Sequence, residues 1–324
     1  MALCWLVGGC AGTDARGGIA RVGFGYHGGE QLRRSGTGIL GDTNDTIRAH
    51  QLAVLRLEPT VAAGDPVIML PGYGLAADTY LETPDGREGW AMDFVRSGRK
   101  VFVVEPSHTT RSGIDTGFYR PGSTSQTREL FSWGGEHVWR RWGLGPSFGQ
   151  VFADSRFPAG KWHAVVASFT GVEAEKIDGG SQIGFQLEAN IRGLRELTDV
   201  NGPAVIVLHS ASGVAGFTFA QRHPERVRAI VAIEPVGCPS QSLKVPVLTV
   251  FGDHLEVREQ IALRQEECRK LAESTAADGI AGELWSLSAL GIKGNSHLMM
   301  MEDNSRELSA RISIWLTKAV GKRR

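Results

Sequence analysis

Short apolar runs, each ending in glycine, proline or polar residues, recur along this chain and predict buried parallel strands. Residues 66–70 (PVIML), 100–104 (KVFVV), 204–208 (AVIVL), 227–233 (VRAIVAI), 246–250 (PVLTV) and 284–287 (LWSL) are of this kind. Helical spacing appears between them, over residues 89–97, 186–197, 258–277 and 305–320, and in the small and apolar residues after Gly213. Strand, helix and strand in this rhythm are the βαβ units of a parallel sheet. Residues 50–57 fit an outer antiparallel strand. Residues 16–45 are dense in glycine and weakly patterned, which predicts an irregular arm with one edge strand near 20–25. From about 113 to 200 the rhythm stops, and Phe131, Trp133, Trp139, Trp142, Phe157 and Trp162 lie among glycines and prolines. A largely helical cap over the sheet follows, its aromatic residues either packing together or lining an apolar pocket.

The run 204–208 leads directly into His209-Ser210-Ala211-Ser212-Gly213, so a strand, a sharp turn and a helix succeed one another. A serine at such a turn has its hydroxyl above the carboxyl edge of the sheet, and the Ala211 amide points from the helix N-terminus toward the same spot. Ser210 is therefore a candidate nucleophile. Leu208 and Ser212 occupy the two glycine positions of the usual G-x-S-x-G turn, and Leu208 is the larger departure. The alternative is a serine that caps the helix. The run 66–70 ends in Pro71-Gly72-Tyr73-Gly74, where glycine lets backbone approach a ligand. The Tyr73 amide is then the candidate oxyanion donor to pair with that of Ala211; the alternative is an ordinary turn.

A serine nucleophile needs a base and a group to orient it, in the chain order nucleophile, acid, histidine. Of nine histidines, His254 and His297 follow the candidate acids in late loops. His254 sits directly on a strand end, which leaves His297, in Gly294-Asn295-Ser296-His297, as the base. His209 is expected to pack or hydrogen-bond beneath the turn, and His108 is a candidate pocket residue. For the acid, Glu234 ends the run 227–233 and Asp253 follows the run 246–250. Either could accept the ring proton that sets tautomer and orientation.

A length of 324 residues with 42% hydrophobic content supports one large α/β domain. Lys plus Arg and Asp plus Glu are 35 each, and the one basic run is the tail 321–324, so a nucleic-acid partner has no electrostatic support. Residues 1–12 are apolar yet too short to span a bilayer. Val7-Gly8-Gly9-Cys10 resembles the box at which bacterial lipoprotein signals are cleaved, so residues 1–15 read as an export segment, compatible with a lipid anchor at Cys10. The alternative is an irregular N-terminus with a chance cysteine. No metal-ligand spacing appears, and no cofactor is called for.

From residue 66 to 316 the chain resembles an α/β-hydrolase, and more closely a branch of bacterial exported carboxylesterases whose triad acid is a glutamate after the sixth strand. The resemblance rests on Thr83-Pro84-Asp85-Gly86-Arg87 with Gly89-Trp90, His209-Ser210 with Ser212-Gly213, and Glu234-Pro235 with Cys238. Phe251-Gly252-Asp253-His254 and Gly294-Asn295-Ser296-His297 with Met299-Met300 complete it. It implies a mostly parallel twisted sheet flanked by helices, with the cap inserted in a hydrolase domain covering 16–324. It also implies a triad of Ser210, Glu234 and His297 with Asp253 as the alternative acid, oxyanion amides from Tyr73 and Ala211, and a small-molecule ester as substrate. By the same resemblance Cys238 and Cys268 form a disulfide, whose loop of about 30 residues corresponds to roughly 3 kcal/mol. That agrees with export, and a homodimer is compatible. Two rivals stand beside ester hydrolysis: the same triad acting on a lactone, amide or carbon–carbon bond, and a catalytically silent binding module. Leu208, and Pro71-Gly72-Tyr73-Gly74 where the branch opens with His-Gly, motivate the second rival.

Overall fold

A computed structural model of the chain describes residues 17–38, 41–119, 128–177, 180–182 and 186–321. Its main sheet opens with an antiparallel hairpin, β1 (Ile19–Gly38) and β2 (Gly41–Pro59), and β2 then pairs antiparallel with β4 (Val101–Glu105). The remaining pairings are parallel, through β3 (Val67–Leu70), β8 (Ala204–His209), β9 (Val227–Ile233), β10 (Val247–Phe251) and β11 (Gly282–Ser286). The strand order is β1-β2-β4-β3-β8-β9-β10-β11.

Strands β3, β8, β9 and β10 are almost wholly apolar because both of their faces are covered, whereas β11, at the sheet's edge, is half-buried and carries Glu283. Val205 and Val207 of β8 join Met69, Val103 and Val231 on one face, against Trp90 and Phe94 of α2 (Trp90–Arg96) and Ile312 and Trp315 of α8 (Ser305–Gly321). Ile206 and Leu208 join Ile68, Phe102 and Ile230 on the other. That face packs on α5 (Leu187–Asn201), α6 (Ser212–Arg222) and Leu271 of α7 (Glu259–Ala277). Alternation along β8 therefore sends His209 to the face that also carries α8 and the loop before it.

Two sequence expectations change. The sequence predicts an irregular arm over 16–45 with one edge strand near 20–25; that strand is at the sheet's edge, but it belongs to β1 of a long hairpin that takes up the described part of the arm, so residues 50–57 lie one strand in from the edge. Val22, Phe24 and Tyr26 alternate with Gly23, Gly25 and His27, a period of two that the glycines obscure. The segment expected as a largely helical cap holds α3 (Gly135–Arg141) and α4 (Trp162–Ser168), but also a three-stranded antiparallel sheet. Its strands are β5 (Arg128–Phe131), β6 (Val172–Ile177) and β7 (Gly180–Gln182). These strands are short and carry charges such as Arg128, Glu129 and Glu173, so they read as loop; Glu173 is nevertheless fully buried. Residues 1–15, with Cys4 and Cys10, lie outside the described residues.

The Cys238–Cys268 disulfide joins the loop after β9 to α7 across 30 residues, with the Cα atoms 5.1 Å apart. Among the described residues no helix is long and apolar enough to cross a membrane.

Candidate active site

Among the described residues, four of the five non-glycine residues with positive φ follow the carboxyl ends of parallel strands: His108 after β4, Ser210 after β8, Glu234 after β9 and His254 after β10. Strained backbone gathered at one sheet edge marks a place where side chains are being aimed. Ser210 has φ 53°, donates its amide to the Ile233 carbonyl at 3.0 Å and accepts from the Val236 amide at 2.9 Å. It does not cap α6: the N-cap is Ala211, and no side chain bonds there.

The departures from G-x-S-x-G have a structural account. Leu208 lies over Gly216 of α6, where an added Cβ would come within 2.2 Å of the leucine methyl, so the glycine that permits close approach is on the helix instead of the strand. The Ser212 hydroxyl accepts from the His209 amide at 2.9 Å and lies 3.1 Å from the Leu70 carbonyl, linking the turn to the end of β3. A Cβ at Gly72 would stand 2.9 Å from that of Ser210, so the loop after β3 can approach the serine only with glycine there.

His297 is buried, and its Nδ1–H donates to Glu234 Oε2 at 2.7 Å, leaving Nε2 as the basic nitrogen. Its backbone is held at both ends, the amide donating to the Trp142 carbonyl at 2.8 Å and the carbonyl accepting from His209 Nε2 at 2.9 Å. His209 thus sits beneath the turn, fully buried, its ring 4.4 Å from that of His297. Glu234 also accepts from the Gly252 amide at 2.9 Å and from both terminal nitrogens of Arg258, whose side chain is fully buried. Burial opposes ionisation of Glu234, but the charge of Arg258 and the bond from His297 outweigh it and hold the carboxyl well below the usual carboxylate range. His297 is lowered from its ordinary value by burial, against the raising effect of Glu234 and with the help of Arg258 and Arg264.

Asp253 does not touch the ring. Its Oδ2 accepts from the Gly294 amide at 3.1 Å and its own amide donates to the Asn295 carbonyl at 2.7 Å, so it shapes the loop that carries His297. Glu302 braces the same loop, accepting from the Ser296 amide at 2.6 Å and from Asn295 Nδ2; burial pushes its carboxyl up to about 7. Arg87, gripped by Asp85 through two 2.9 Å bonds, donates to the Glu302 carbonyl at 2.9 Å, and Trp90 Nε1 donates to the Ser305 carbonyl at 2.8 Å. The Thr83-to-Trp90 motif is therefore a clamp on the segment after His297. Sequence reasoning missed Arg258, Glu302 and Gly216, because no local pattern marks a residue whose partner is supplied by another element.

Ser210, His297, Tyr73 and Ala211 line one cavity of about 640 Å³, together with Phe131, Trp133 and Trp142. No hydrogen bond joins the Ser210 hydroxyl to His297 among the described residues, a common looseness before substrate binds. Neither the Tyr73 nor the Ala211 amide donates a hydrogen bond among the described residues, so both are uncommitted beside the serine. Trp133 Nε1 donates to the Tyr73 carbonyl at 2.5 Å and the Thr170 amide to that of Gly74 at 2.9 Å, which fixes the loop. Trp139, Phe157 and Trp162 instead pack with one another, so the aromatic residues divide between pocket wall and core.

Among the described residues two side-chain groups bring metal-ligating atoms together: His50, His108 and Glu173, and Asp154, Asp253 and His254. The His50 and His108 rings are stacked at 3.9 Å and 7°, and parallel planes cannot both present a nitrogen lone pair to one ion. His254 Nε2 is bonded to Asp154 at 2.9 Å and its ring stacks on Phe152. Both groups read as internal packing of the loops.

A mostly parallel sheet flanked by helices, with a sharp serine turn after β8 and a histidine loop after its last strand, is the arrangement of the α/β-hydrolase fold, and this chain has that fold. It is similar to a bacterial esterase of known structure, with 28% sequence identity, a TM-score of 0.84, and coverage of 94% of this chain and 97% of that one. It is also 26% identical over 320 residues to a probable secreted lipase, phiG, of a fungal species (strain ATCC 74256), covering 78% of this chain and 82% of the relative. No protein-family model matches the chain.

Proposed function

We propose that this protein hydrolyses carboxylic esters through an acyl-enzyme on Ser210. The observation that carries the reading is one cavity bordered by a serine at φ 53°, by a histidine bonded to an ionised glutamate, and by two uncommitted amides. His297 Nε2 takes the Ser210 proton as the oxygen attacks the ester carbonyl, and the amides of Tyr73 and Ala211 hold the developing oxyanion. Glu234 stabilises the imidazolium, which then protonates the leaving alcohol. Water activated by the same nitrogen releases the acid and restores the serine.

The likeness to an esterase and to a lipase supports this class of substrate. The segment from about 113 to 200 serves as the cap of a hydrolase unit that begins near residue 16, since Phe131, Trp133 and Trp142 wall the cavity. The disulfide and the secreted relative are compatible with export, with residues 1–15 as the export segment. Ser210→Ala is expected to lower kcat/KM for p-nitrophenyl butyrate by about 10⁴-fold or more and to abolish labelling by a fluorophosphonate, with circular dichroism unchanged. Retained turnover in that variant would remove Ser210 from the mechanism.

A further inference from the structure

The cavity beside Ser210 is apolar over most of its wall, yet two arginines face it. Arg141, the last residue of α3, and Arg264, in the second turn of α7, line it together with Ser210 and His297. Among the described residues neither guanidinium makes a hydrogen bond or an ion pair with a side chain. Their neighbours differ in this respect: Arg258, on the same helix approach, is taken up by Glu234, and Arg156 by Asp303. Glu129 also lines the cavity, so two cations and one anion border it, and the Glu129 charge acts on the Tyr73 hydroxyl.

Arg141 is exposed and Arg264 half-buried, and the charges of Glu234 and Glu267 reach Arg264 without pairing with it, so two neighbouring guanidiniums face the cavity with their hydrogen-bonding forks free for an anion. Arg264 is lowered from its ordinary value first by burial and next by Arg141, and an anion between the two would relieve both effects. The fork of a guanidinium matches a carboxylate in two parallel hydrogen bonds, which favours that kind of group. The position is also held firmly. Ile261 and Arg264 share one face of α7, and the Cys268–Cys238 disulfide ties that helix to the loop carrying Val236, another wall residue.

We propose that Arg141 and Arg264 form an anion subsite, and that the ester taken by this protein carries a carboxylate at a distance from its scissile bond. This rests on the ester-hydrolase reading and names its substrate class: a half-ester of a dicarboxylic acid if the anion is on the acyl side, or an ester of a hydroxy acid if it is on the alcohol side. The bulk of the substrate lies against Phe131, Trp133 and Trp142, while the acidic end pairs with the arginines.

The test compares mono-p-nitrophenyl adipate with p-nitrophenyl hexanoate, and the butyrate ester of 4-hydroxybenzoate with that of its methyl ester, at low ionic strength. The ratio of kcat/KM for the anionic over the neutral partner is expected to be about 10 or more on one arm. It should fall toward unity in Arg264→Gln, less far in Arg264→Lys, and on adding 0.5 M NaCl at about that ionic strength. A ratio that Arg264→Gln and Arg141→Gln leave unchanged on both arms overturns the subsite. Calorimetric binding of adipate to Ser210→Ala, weakened by Arg264→Gln, reads the subsite without turnover. Hydrolysis of neutral esters with no anion preference and no adipate binding would refute the subsite and leave ester hydrolysis standing. Adipate binding without hydrolysis of any ester would do the reverse.

Discussion

Two histidines are buried against carboxylates at this end of the sheet, and their hold on a proton shifts in opposite directions. His297 donates to Glu234 at 2.7 Å; His50 lies 2.6 Å from Glu30 and 3.5 Å from Glu173. At Glu234 the carboxylate is already neutralised by Arg258, so His297 gains less from carrying a proton than it loses by burial, and it is lowered. Burial also works against the charged form of His50, but two carboxylates outweigh it and the net shift is upward. The charge of His50 has its own consequence, since His108, stacked on it, is pushed down to about 2 by burial and by that neighbour. The third residue at each pair decides whether burial lowers a histidine's hold on its proton or a carboxylate raises it. Only a neutral ring can accept a proton from a serine at neutral pH.

The largest effect that would break this contrast is at the carboxylate. Glu234→Gln leaves the His297 ring without its charged acceptor, and kcat/KM should fall by about 10³- to 10⁴-fold. Asp253→Asn, which touches only the loop backbone, should cost less than about 10-fold by the same reasoning. The opposite ranking would make Asp253 the acid.

Arg258→Met separates charge from geometry. Removing a cation that lowers His297 raises the ring pKa, so the acid limb of the kcat/KM profile should move to higher pH than in the parent. The unpaired buried Glu234 should also destabilise the fold by about 3 kcal/mol or more, measured by urea unfolding. An unmoved limb in a folded variant would show that Arg258 does not set the charge of the pair.

The smallest expected change is at His50. Its folded pKa is raised, so its stabilisation is fully present below the unfolded value near 6.5 and is lost as pH rises through the folded value. The stability lost in His50→Gln should therefore be about 1–2 kcal/mol at pH 6 and smaller at pH 9, read from urea midpoints. A difference that grows with pH would mean that His50 is held neutral.

What could be read from the chain alone was the local part of the plan. Apolar runs bounded by turn residues identified β3, β4, β8, β9 and β10, because a strand buried on both faces must be apolar along its length, and a shorter run marked β11 at the sheet's edge. Residues just after those runs are delivered to one sheet edge, which is why Ser210 and Glu234 could be named as candidates before their neighbours were known, while chain order and a late loop singled out His297. Of the hairpin only the edge strand near 20–25 and residues 50–57 were legible; its full length and the strands β5 to β7 were not, since glycines or charges interrupt their alternation and their pairing partners supply the missing order. The choice between Glu234 and Asp253 was open to the residues themselves. Tertiary structure puts Glu234 against the ring and turns Asp253 to the loop backbone. Gly216 making room for Leu208, and Arg258 neutralising Glu234, likewise required the folded chain. Close approach and charge state depend on groups that meet only after the helices have docked, and no run of neighbouring residues encodes that meeting.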